Sequence, residues 1–167
     1  FLLISLSFFL NSHAQNRPKL VVGIVVDQMK MEYLYRFEND LSPNGFKRLM
    51  QNGYVFHNAQ YNYVPTYTAP GHASIYTGTT PALHGIVSNT WFNRSTKKEM
   101  YCTDDESVTT LAVGTENEGK MSPKNLQSTT ITDELKLATN FKSKVIGISI
   151  KDRGAILPAG HFADWAF

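Results

Sequence analysis

The stretch PTYTAPGHASIYTG, residues 65–78, sets Thr68 two positions before a proline and four before a histidine. A threonine hydroxyl becomes a useful nucleophile only when a base or a metal lowers its pKa. Pro70 suits the first turn of a helix, which predicts Thr68 at a helix N-terminus. Free backbone N–H groups and the helix dipole favour an anion there. The competing reading is a threonine that merely caps the helix. Asp27 ends the run LVVGIVVD, where a carboxylate can bind a metal, cap a helix or pair with a cation. Lys151 and Arg153 flank Asp152 in KDRG. Alternate residues of an extended segment point the same way, so these two cations are predicted to share a face. An arginine fork beside a lysine point charge suits a phosphoryl group. The alternative is a solvated loop with a local ion pair to Asp152.

These residues need elements to hold them. Residues 20–27 form a continuous β-branched run, predicted as a strand buried on both faces of a parallel sheet. Its carboxyl end is where ligands gather in open α/β sheets. Ser42-Pro43 reads as an N-cap and first helical residue. Phe46, Leu49 and Met50 then share a face, and Gly53 ends the helix. Residues 54–56 are a candidate strand and residues 71–76 a candidate short helix. Thr130 and Asp133 have capping-box spacing before a helix with Ile131, Leu135 and Ala138 on one side. Residues 144–150, KVIGISI, read as a second buried strand that delivers Lys151, Asp152 and Arg153. The alternation of strand and helix predicts an α/β fold. Residues 95–123 are polar and irregular and receive no assignment.

The 167 residues are 42% hydrophobic and 18% charged, which fits one globular domain. The net charge of +2 comes from scattered cations, apart from Lys97-Lys98, so no nucleic-acid partner is expected. One cysteine, Cys102, excludes an intrachain disulfide and a Cys-rich zinc site. The five histidines show no His-x-x-x-His spacing, and His72 and His84 read as turn or packing residues. Asn93-Arg94-Ser95 matches a weak glycosylation motif. FLLISLSFFLNSHAQ resembles a secretory signal peptide without its basic start, which assigns residues 1–14 to a partial leader. Its apolar run is about half of the roughly 20 residues that a spanning helix needs. The expectation is therefore a periplasmic or secreted protein with no stable membrane anchor after cleavage.

The order of the motifs is more specific than any one of them. VVDQM, then PTYTAPGHASIYTGTTPALHGIVSN, then KDRGAILPAGH resembles the alkaline phosphatase superfamily, in its type I phosphodiesterase/nucleotide pyrophosphatase branch. Within that branch it looks most like the phosphate-irrepressible, broad-specificity alkaline phosphatases exported by some Gram-negative bacteria. The resemblance runs from about Lys19 onward. It implies a mostly parallel central sheet flanked by helices, incomplete in this chain, with residues 15–167 as the N-terminal portion of the catalytic domain. It implies that Asp27 is a zinc ligand and that Thr68 is the nucleophile and a ligand of the same zinc. Asn89 matches an asparagine that hydrogen-bonds a phosphoryl oxygen. Lys151 and Arg153 match the cations that hold the phosphoryl group in monoesterases. Two zinc ions are implied for the intact enzyme, with most ligands outside this chain, and small phosphate esters as substrates.

Two rivals remain open. A phosphodiesterase or nucleotide pyrophosphatase would use the same nucleophile but accept a second ester group where Lys151 and Arg153 sit. A non-catalytic exported module, or a truncated product, would bind zinc weakly and turn nothing over. A sulfatase is disfavoured, because Cys102 lies in no matching motif.

Overall fold

A computed structural model describes residues 18–109 and 119–167 of the chain. The expected leader at 1–14 lies outside the described residues, as do 110–118 of the unassigned stretch. Six α-helices are described: α1 Glu32–Arg36, α2 Phe46–Asn52, α3 Thr68–Thr77, α4 Pro81–His84, α5 Ile131–Ala138 and α6 Asp152–Ala159. Four short strands accompany them: β1 Thr90–Asn93, β2 Lys98–Tyr101, β3 Ile146–Gly147 and β4 Trp165–Ala166.

Helices α3 and α6 pack against each other at the centre. Small side chains allow this, since Ala69, Pro70, Gly71, Ala73 and Ser74 of α3 are all buried. Ala69 and Ala73 join Ile86, Cys102, Leu126 and Leu157 in one apolar cluster, with Trp91 and Tyr101 packed on it. Ile86 and Leu157 are fully buried, and each contributes about 1.5–3 kcal/mol relative to exposure. Helix α3 stops where Gly78 turns into the left-handed region at φ 66°.

β1 and β2 form an antiparallel hairpin with Thr90 opposite Tyr101 and Asn93 opposite Lys98. Asn93 Oδ1 accepts the Ser95 and Thr96 amides and so shapes the turn. β3 and β4 are parallel, with α6 as the crossover between them. Their ladder continues through Ser149 N–H to the Phe167 carbonyl at 2.9 Å.

Several sequence expectations are corrected here. Residues 20–26 do not form a strand: Leu20, Val21, Val22 and Ile24 are 66–78% exposed. A strand is held by its neighbours' ladder bonds, and no other described strand lies alongside this run. The strand expected at 144–150 is ordered as a strand only over β3, and residues 54–56 form none. The mostly parallel sheet is thus represented here by the single β3–β4 pair. Helix α2 starts at Phe46 with Gly45 as N-cap, while Ser42 Oγ accepts the Asn44 amide in the preceding turn. Helix α3 begins three residues earlier than expected.

Helix α5 keeps its capping box, with Thr130 Oγ1 accepting the Asp133 amide and Asp133 Oδ2 accepting the Thr130 amide. Its expected apolar face is not the buried one. Ile131 is 68% exposed, whereas Asp133 and Lys136 are buried. The reason is polar: Asp133 also accepts the Phe162 amide and a hydrogen bond from His161 Nδ1, and Lys136 Nζ meets Asp164 at 2.6 Å. Lys136 foremost, with the Val145 amide and Lys144, holds the Asp164 carboxyl well below the usual carboxylate range. The displaced apolar face of α5 lines a cleft of about 580 Å³ with Val21, Ile24, Ile75 and Ile146.

Candidate active site

Thr68 is the first residue of α3, and its hydroxyl donates to Asp27 Oδ2 at 3.0 Å. Asp27 therefore reaches the helix mouth although the run before it is no strand. The turn that aims it places Gln28 at φ 62°, a left-handed conformation costing about 1–2 kcal/mol for a non-glycine residue.

Asn89 joins them from the other side, its Oδ1 accepting the Ala69 amide at 2.9 Å. This changes the expected set of free N–H groups. Ala69 is capped, Pro70 has no N–H, and Gly71 already donates to the Tyr67 carbonyl. The Thr68 amide is what remains of the first turn for an anion, beside the Asn89 Nδ2 donors. Tyr67, the N-cap, makes no side-chain capping bond.

The hairpin's open end explains how this assembles. The Cys102 amide donates to the Asn89 carbonyl, so Asn89 and Tyr101 sit at the same end. Asn89 reaches the N-terminus of α3. Tyr101 and Thr103 reach the N-terminus of α6, where their hydroxyls donate to Asp152 Oδ1 and Oδ2. The two helix mouths lie close together, since a Cβ built on Gly154 would be 3.9 Å from His72 Nε2. His72 in turn bonds the Thr68 carbonyl through Nδ1 at 2.8 Å.

Lys151 and Arg153 do not share the face of an extended segment. Lys151 is the exposed N-cap of α6 and Arg153 is its second residue. The chain turns helical at Asp152, whose acidic side chain suits a first turn. Asp152 forms no ion pair with either cation among the described residues. Arg153 Nη1 instead donates to Tyr101 Oη at 2.6 Å. Tyr101, Thr103 and Asp152 were invisible as site residues in the sequence, because only tertiary contacts join the hairpin to α6.

A hydroxyl–imidazole pair lies further along α3 but is structural. Ser74 Oγ lies 2.9 Å from His84 Nε2, and the Ile86 amide donates to His84 Nδ1 at 3.2 Å. Nδ1 is thus an acceptor, Nε2 carries the proton, and His84 has no lone pair to take one from Ser74. Burial pushes the His84 pKa down, which favours this neutral ring. Tyr63 completes the chain by bonding Ser74 Oγ and the Pro70 carbonyl, while Tyr61 donates to the Gly71 carbonyl. Together they pin the start of α3.

Asp27 and Thr68 offer a carboxylate and a hydroxyl oxygen to a common point, a donor pair that suits part of a zinc site. No group of three or more His, Cys, Asp or Glu residues placed to hold a metal ion occurs among the described residues. No helix among them is long and apolar enough to cross a membrane.

Comparison with known proteins gives the family and the fold. A family model described as type I phosphodiesterase / nucleotide pyrophosphatase matches residues 21–157. The chain is 56% identical over 151 residues to alkaline phosphatase PhoV of Synechococcus elongatus, covering 90% of this chain and 27% of that protein. It is 52% identical over 156 residues to alkaline phosphatase PafA of Elizabethkingia meningoseptica, covering 93% and 29%. A protein of Myroides odoratus that carries the name calcium-transporting ATPase is 58% identical over 159 residues, covering 95% and 29%. The crystal structure of wild-type PafA superposes with a TM-score of 0.89 at 52% identity, over 92% of this chain and 30% of that one. A PafA variant with one threonine changed to serine, and an asparagine, a lysine and an arginine changed to alanine, superposes equally well. The chain spans less than a third of the length of these relatives. It belongs to the type I phosphodiesterase/nucleotide pyrophosphatase family of the alkaline phosphatase superfamily, and its fold is the corresponding part of the PafA fold.

Proposed function

We propose that this chain is the N-terminal portion of an exported, zinc-dependent phosphatase that hydrolyses phosphate monoesters through a phosphothreonine at Thr68. The observation that carries the reading is the meeting of Thr68, Asp27 and Asn89 at the mouth of α3. The PafA variant supports it. Its four substituted positions are separated by 21, 62 and 2 residues, the separations of Thr68, Asn89, Lys151 and Arg153 here.

Asp27 fixes the Thr68 hydroxyl so that its remaining lone pairs face outward. Asp27 and Thr68 would hold zinc with ligands from the rest of the enzyme. When bound, that ion supplies a Lewis acid that lowers the hydroxyl pKa and offsets phosphoryl charge. Thr68 Oγ attacks phosphorus, the Oγ–P bond forms, and the bond to the leaving alcohol breaks. Water then cleaves the phosphothreonine and releases phosphate. The Thr68 amide and Asn89 Nδ2 donate to non-bridging oxygens. Lys151 and Arg153 supply positive charge that matches the extra anionic oxygen of a monoester.

The test uses the complete, zinc-supplied enzyme and compares kcat/KM for a monoester and a diester with the same leaving group. A ratio well above one is expected, and Thr68→Ser should keep part of the activity. Full turnover by Thr68→Ala would refute the mechanism. A ratio below one would move the protein to the diesterases, the second reading, which the family model's own description favours.

A further inference from the structure

Arg153 has an unusual setting for a residue meant to grip an anion. Its Nε is buried without a hydrogen-bond partner, and its recorded bond among the described residues runs from Nη1 to Tyr101 Oη. The guanidinium carbon also lies 5.7 Å from the Tyr101 ring centre. The Tyr101 hydroxyl spends its proton on Asp152 Oδ1 at 2.8 Å, so its lone pair faces the arginine. Thr103, fully buried, donates to the other Asp152 oxygen. A neutral phenol therefore stands between an anion and a cation that are adjacent in sequence. Neighbouring helical positions do not face each other, so the phenol bridges a gap that the helix itself leaves.

We propose that Tyr101 is a positioning residue for phosphoryl recognition: its hydroxyl, oriented by Asp152, holds the Arg153 guanidinium at the mouth of α6. This rests on the reading that Arg153 recognises the monoester's extra anionic oxygen. Held this way, Arg153 keeps its full charge and its Nη2 donors for substrate. Burial above all pushes the Tyr101 phenol up to about 12, so it remains a proton donor to Asp152 at lower pH.

Tyr101→Phe keeps the ring under the guanidinium and removes only the bridge. In the complete zinc-loaded enzyme it should lower monoester kcat/KM roughly tenfold, the scale of one hydrogen bond to a charged group. Hydrolysis of the matched diester should change less than about twofold. Added to Arg153→Ala, it should cost almost nothing more, because both changes remove the same interaction. Equal losses on monoester and diester, or additive losses in the double variant, would overturn the proposal. If Tyr101→Phe does not fold, Asp152→Asn provides the same test, since it weakens the acceptor that orients the phenol. It should show the same monoester-selective loss, and a uniform loss would overturn the proposal. Arg153→Ala alone separates the two levels. If it spares monoester turnover, the assignment of Arg153 fails, and the role of Tyr101 with it. If it is selective while Tyr101→Phe is silent, only the positioning role fails.

Discussion

Asn89 caps α3 with one end of its amide and, in the proposed mechanism, donates to the phosphoryl group with the other, and substitution can separate the two. Its Oδ1 caps the Ala69 amide at 2.9 Å, which leaves Nδ2 as the donor end that the proposed mechanism assigns to the phosphoryl group. Asn89→Asp keeps an acceptor for Ala69 and adds negative charge at a helix N-terminus, which favours α3. It replaces the donor end with an anionic oxygen facing the phosphoryl group. Stability should hold, while kcat/KM for a monoester falls by the worth of one transition-state donor, about 2–4 kcal/mol, or roughly 30- to 1,000-fold. Asn89→Ala removes both ends. It should lose similar activity and also about 1 kcal/mol of stability from the missing cap. The assay is steady-state kinetics with thermal and denaturant unfolding on the complete enzyme. Near-normal turnover by Asn89→Asp would show that the amide's donor end does not serve the reaction. Unchanged stability of Asn89→Ala would remove its capping role.

Two further perturbations test the scaffold. Gly160 adopts φ 79° and ψ −166°, and an added Cβ would sit 2.6 Å from both Asp133 carboxylate oxygens. Gly160→Ala should therefore destabilise by about 2–4 kcal/mol, combining backbone strain with overpacking, measured by denaturant unfolding; a neutral result would contradict the observed packing. The lowered His84 pKa makes the folded state prefer the neutral ring. Its stabilising contribution is present above the unfolded value near 6.5 and is lost as pH falls below it. Unfolding followed from pH 7.5 to 5 should show this loss, and His84→Gln should flatten it; an equally steep profile in the variant would remove His84 as the cause.

The motif order carried the identity of this chain. Local features left Thr68 as a plain helix cap and Asp27, Lys151 and Arg153 with competing readings; the resemblance singled these residues out together with Asn89, and the structure brings Asp27, Thr68 and Asn89 to one helix mouth. Elements governed by nearby residues were legible too: the capping box of Thr130 and Asp133, the stop at Gly53, and a helix beginning near Pro70. These depend on interactions within one or two turns of chain, which the sequence contains directly. The absence of a strand at residues 20–27 was not, because a β-branched run becomes a strand only when a neighbouring ladder receives its N–H and C=O groups. The buried side of α5 was not legible either, since the periodicity of Ile131 and Leu135 could not reveal that Asp133 and Lys136 have partners at Phe162, His161 and Asp164. The largest gap was the hairpin, whose turn and second strand lie in the unassigned polar stretch. Its open end brings Asn89 to one helix mouth and Tyr101 to another, joining residues far apart in sequence. Residue types and their order in the chain set which chemistry to expect of it. Tertiary structure decided which donors remain free for it, because each hydrogen-bonding group has limited capacity and its partner is chosen only when distant segments meet.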